Sequence, residues 1–106
     1  MSLSKADREY IRELKQAEPF TGFRTQTRRG EPCKFQIVGR GELAFFQLGE
    51  RGLLFELLAG PAVIFAPTIR RWDNNQKVSE DEREDVIEVA TRFLQIKGAS
   101  AVEVVR

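Results

Sequence analysis

Histidine is absent from this 106-residue chain, and Cys33 is its only cysteine. The first absence removes the usual general base and the commonest metal ligand. The second removes any intrachain disulfide, which makes the cytoplasm the simplest compartment. No apolar run approaches the roughly 20 residues of a membrane-spanning helix. The longest, Leu53 to Pro67, is broken by Glu56, Gly60 and Pro61. The N-terminus carries Lys5, Asp7, Arg8 and Glu9 where a signal peptide needs an apolar stretch. Nothing in the chain calls for a cofactor, and no set of residues forms a catalytic or metal site.

What is present suits one globular domain over 1–106. Apolar residues make up 42% and charged residues 31%, ordinary values for a folded soluble chain. The net charge is +1, which argues against a dedicated nucleic-acid binder. Its distribution is uneven. Residues 1–40 carry nine basic against five acidic side chains, residues 41–78 four against four, and residues 79–106 four against seven. A dipolar surface follows only if the fold keeps the two ends apart; acids recruited to a helix start explain much of the C-terminal excess.

The pattern reads helix, strands, helix, strand. Ser4 N-caps a helix to about Ala17, with Asp7 placed to answer it and an apolar stripe of Leu3, Ala6, Tyr10, Leu14 and Ala17 beside Ile11. Alternating segments follow, separated by the turns Arg28–Pro32, Gly39-Arg40-Gly41, Gly49–Gly52 and Gly60-Pro61, and then a short strand from Thr68 to Trp72. Phe45-Phe46 breaks the alternation, which implies a bulge or burial on both faces. Ser79 and Glu82 form a capping box for a helix to about Lys97. Its buried stripe is Val86, Ile87, Ala90, Phe93 and Leu94, widened by Val89 and Ile96. Gly98 suits the left-handed position after it. Ala101 to Val105 closes the chain as a strand. The expected architecture is α+β: an antiparallel sheet of about five to six strands with both helices packed on it, the N-terminal helix on the same face or an edge.

Candidate chemistry is sparse. Cys33 has no base to activate it and reads as a small buried apolar residue. Glu80, Asp81, Glu82, Glu84, Asp85 and Glu88 read as a solvated helix start. Arg24, Arg28, Arg29, Lys34 and Arg40, with Phe20 and Phe23, are the group a single-stranded nucleic acid would use. The favoured partner-binding segment is Arg70, Arg71, Trp72 and Asp73, because Arg and Trp dominate binding hot spots. The alternative for Trp72 is to cover the core edge beside the following helix.

Ile69, Arg71-Trp72-Asp73, Val78-Ser79, Glu82-Arg83, Val86-Ile87 and Val102-Glu103-Val104 resemble the C-terminal part of small bacterial toxin-immunity-type proteins. Asn74-Asn75 stands where a turn glycine is often found there. The resemblance implies a non-enzymatic inhibitor that binds a cognate toxin. Self-association through a sheet face or edge is the second reading, and nucleic-acid binding the third.

Overall fold

The computed structural model describes residues 4–39 and 41–106. The protein is an α+β domain. Helix α1 (Lys5–Gln16) is followed by strands β1 (Phe23–Gln26), β2 (Pro32–Val38), β3 (Leu43–Leu48), β4 (Arg51–Ala59) and β5 (Ala62–Phe65), then α2 (Glu80–Ile96) and β6 (Glu103–Val105). The six strands form one sheet in chain order. Neighbours from β1 to β5 are antiparallel, as the short glycine turns require. The last pair, β5 with β6, is parallel, and α2 is the crossover that a parallel pair needs.

The helices lie on opposite faces, correcting the expectation that α1 shares the face of α2 or an edge. Phe35, Ala44, Phe46, Leu53, Phe55 and Leu57 pack with α2 residues Val86, Val89, Ala90 and Leu94 in the main core. On the reverse face Val38 and Phe45 pack with Ile11 of α1, flanked by Tyr10, Leu14, Phe20, Leu43 and Leu54. This accounts for the Phe45-Phe46 doublet: β3 pairs in unbroken register with β2 and β4, and each phenylalanine enters a different core. Gly52 belongs to β4 rather than to the turn. A Cβ there would lie 2.9 Å from Ile11 Cγ2 and 3.0 Å from Phe45 Cε1, so glycine permits α1 to approach the sheet.

The expected helix caps are present. Ser4 Oγ accepts from Asp7 N at 3.0 Å. Ser79 Oγ accepts from Glu82 N at 3.1 Å, and Ser79 N donates to Glu82 Oε1 at 2.9 Å. At the other end of α2, Gly98 takes φ +111°, Gly98 N donates to Gln95 O and Ala99 N to Leu94 O. That is the paired carbonyl capture of a Schellman ending. The α2 stripe is buried as expected except at Phe93, which is half-buried, and Ile96, which is 66% exposed. Leu3 and Arg40 fall outside the described residues. No helix among the described residues is long and apolar enough to cross a membrane.

The strand expected from Thr68 to Trp72 is replaced by a 3-10 turn at Ala66–Thr68 and an irregular segment beside β4. Pro67 has no N–H to offer a ladder. Instead Thr68 Oγ1 accepts from Glu56 N at 2.9 Å, Asp73 Oδ1 accepts from Gly52 N at 3.2 Å, and Asp73 N donates to Gly52 O at 2.8 Å. Ile69 and Trp72 are both fully buried, a spacing of three that strand alternation does not permit.

Candidate functional site

The segment Arg70–Asp73 is mainly an internal junction. Trp72 is 0% exposed and packs at 6.3 Å, centroid to centroid, against Phe46. Its Nε1 donates to Glu82 Oε1 at 3.3 Å, and the Arg51 guanidinium sits 4.3 Å above its ring. Arg51 also pairs with Glu82 Oε2 at 2.8 Å. Glu82 therefore joins the cap of α2, the tryptophan and β4. Burial pushes its pKa up, but the Ser79 N–H, the Trp72 indole and Arg51 outweigh that and hold it below the ordinary 4.5.

Asp73 is tied in the same way. Its Oδ2 accepts from Lys15 Nζ at 2.6 Å, and Lys15 also donates to Glu50 O at 2.7 Å. Trp72 as a contact residue is thus corrected: the side chain is in the core, closing its edge against α2. Arg71 reaches back to Asn75 O at 3.2 Å across a turn in which Asn75 takes φ +69°, the conformation asparagine tolerates. Of the four residues only Arg70 is exposed.

The basic–aromatic group splits into two. Arg28 Nε donates to Asp85 Oδ1 at 2.9 Å, and Arg29 lies 3.4 Å from Asp85 Oδ2. Asp85 is 2% exposed, a buried carboxylate that folding supplies with cations 56 and 57 residues away in the chain. The acidic start of α2 is further engaged by Arg106, on Glu84 at 3.0 Å, and by Arg92, on Glu88. Arg24 and Lys34 face each other across β1 and β2 and lie 5.2 and 5.1 Å from the centre of the Phe20 ring. Phe23 points to the other face and packs 5.6 Å from Phe93.

Cys33 is buried in β2. Desolvation pushes its thiol up to about 11. Arg92 opposes that, and Glu88, Asp85 and Glu31 add to it. A thiol so placed is a poor nucleophile at neutral pH. Among the described residues no three His, Cys, Asp or Glu side chains converge as a metal site.

Two concavities flank the C-terminal end of α2. One, of about 320 Å³, is lined by Thr21, Gly22, Phe23, Gln36, Ile37, Phe93, Ile96 and Lys97. The other, of about 480 Å³, shares Ile37, Phe93 and Lys97 with it and extends along the Ala59–Ala62 turn and the Gly98–Ala101 connection. Side by side they make a groove of mixed polar and apolar lining with the exposed Ile96 on its rim. A further cavity of about 480 Å³ lies at the opposite end of α2, lined by Ala66, Pro67, Glu80, Arg83, Glu84 and Arg106. There Arg106 and Glu84 are already paired, and Arg83 donates to Ile69 O.

The sequence reading missed the groove because Ile96 projects beside buried Val89 on the helical wheel. Only the last-turn position between Gln95 and Lys97 hints that it overhangs the core. No protein-family model, curated protein or solved structure matches this chain.

Proposed function

We propose that this protein is a non-enzymatic, cytoplasmic protein-binding module whose contact surface is the groove at the C-terminal end of α2. The observation that carries this reading is Ile96: a large aliphatic side chain, 66% exposed, rimming a groove beside half-buried Phe93 and Ile37. Apolar side chains grouped on a surface around a concavity are the mark of a docking site. The state of the ionisable groups supports the absence of catalysis. Asp73, Asp85, Glu82, Glu84 and Glu88 are each held by a cation, and the one thiol is buried. The cytoplasmic placement rests on the single cysteine.

The test compares tagged wild type, Ile96→Asp and Arg70→Glu as baits in lysate of the source cell. The expected result is one stoichiometric protein held by wild type and Arg70→Glu and lost by Ile96→Asp, which re-forms a complex of defined mass from purified components. Loss with Arg70→Glu and retention with Ile96→Asp would return the contact surface to the Arg70–Asp73 segment. Substrate turnover by the isolated chain would overturn the reading. Immunity to a toxin is a special case of it, tested by protection of cells expressing the captured partner.

A further inference from the structure

Helix α1, on the face of the sheet away from α2, segregates its charges. Lys5, Arg8, Arg12 and Lys15 follow one another at steps of three, four and three residues. At about 100° per residue, those steps keep all four within roughly 80° of the helix circumference. Glu9 and Glu13 fall in a separate row beside them. Arg8 and Arg12 are thus like charges at i, i+4, an arrangement that disfavours the helix it sits on. Lys5, Arg8 and Arg12 are exposed, and Lys15 is half-buried.

The row leads into a second like-charge contact. Lys15 Nζ reaches Asp73 Oδ2 at 2.6 Å, which joins the end of α1 to the turn between Arg71 and Lys77. Those two residues oppose each other directly in an antiparallel bridge. Opposed residues share a face, and like charges so placed repel. The other opposed pair of cations, Arg24 and Lys34, is spread over the Phe20 ring. Among the described residues Arg71 and Lys77 lie over no ring. Asp73 offsets the charge of Lys15, while Arg8, Arg12, Arg71 and Lys77 keep theirs on either side of that link. The overall charge of +1 hides this concentration.

A line of cations on a rigid helix, continued by a braced turn, is complementary to a repeating anion. We propose that α1 and the Arg71–Lys77 turn bind the phosphate backbone of double-stranded nucleic acid, without reading its sequence, on a surface separate from the α2 groove. Two observations select this occupant. None of the described aromatic residues is exposed, so the stacking platform that a single strand needs is missing. The exposed large apolar side chains, Ile96 and Val105, belong to α2 and β6, so an acidic polypeptide finds no apolar anchor beside the cations.

The test titrates the full chain into a fluorescent mixed-sequence DNA duplex, a thymidine oligonucleotide and a glutamate homopolymer, at several salt concentrations. The expected result is that the duplex binds most tightly and that a second duplex of unrelated sequence binds equally. Its log affinity should fall with log salt at a slope reporting about four phosphate contacts. Arg8→Glu with Arg12→Glu should weaken binding at least about tenfold; Arg8→Gln with Arg12→Gln, which spares the helix a new charge row, should lower the salt slope by about two. Arg24→Glu with Lys97→Glu changes the net charge equally at exposed positions elsewhere and should leave affinity within about threefold. No duplex binding at low salt, or equal losses from the two glutamate double variants, would overturn the proposal. Tighter binding of the oligonucleotide would overturn the choice of a duplex, and tighter binding of the glutamate polymer would replace nucleic acid with an acidic polypeptide.

Discussion

The two ends of α2 meet their surroundings under opposite conditions. At the N-terminal end, three acids of the first two turns are met by cations from elsewhere in the fold: Arg51 on Glu82, Arg28 and Arg29 on Asp85, Arg106 on Glu84. Trp72 and Val78 are fully buried beneath them. At the C-terminal end the helix closes its own carbonyls through Gly98, leaves Ile96 in solvent, and has Lys97 without an ion pair among the described residues. The first end is largely engaged by contacts within the chain, and the second is not. Residue type alone misleads here: tryptophan and arginine, typical of hot spots, are spent on stability in one region, while an isoleucine at a helix end carries the open surface.

Substitutions should separate the two ends. The largest expected effect is Trp72→Ala, which empties a site closed by Phe46, Arg51 and Glu82 and should cost about 3–5 kcal/mol in denaturant unfolding. A loss of under about 1 kcal/mol would remove Trp72 from the core. Asp85→Ala should cost less, about 1–2 kcal/mol, because the carboxylate is buried while Arg28 is half exposed and its charge is screened.

Glu82 makes the engaged end sensitive to acid. Its folded pKa lies below the unfolded one, so its contribution is complete above about 4.5 and is lost as pH falls through the folded value. Glu82→Gln keeps a capping-box acceptor but cannot titrate. Its unfolding midpoint should therefore fall less than that of wild type between neutral pH and pH values below 4.5. Parallel curves would assign the acid sensitivity elsewhere.

Ile96→Asp should have the smallest effect on folding, within about 0.5 kcal/mol of wild type, because the side chain is largely in solvent. Its consequence should appear in binding alone. A marked destabilisation would make Ile96 a core residue and erase the contrast.

Much of the frame was legible in the chain. Ser79, Glu82 and Gly98 bound α2 through local chemistry, and the strand alternation from Lys34 to Ile37 and from Val102 to Val105 survives folding. The Phe45-Phe46 doublet already held the two-faced burial, but only the placement of α1 identified it. The segment from Thr68 to Trp72 is not a strand, and its strand-like composition does not reveal that Thr68 and Asp73 side chains will replace a ladder. The neutralisation of Asp85 by Arg28 and Arg29 was not legible, since it depends on tertiary proximity rather than spacing. The groove was hidden for the same reason: a helical wheel shows which side is apolar, not where the sheet beneath it ends.

The most direct test places a photoreactive residue at position 96 in one variant and at position 70 in another, and cross-links both in the source cell. Both positions are exposed, so reach is comparable. The account predicts one defined cross-linked partner from position 96 and none from position 70. A partner captured from position 70 alone would contradict it and make the segment around Trp72 the binding surface after all.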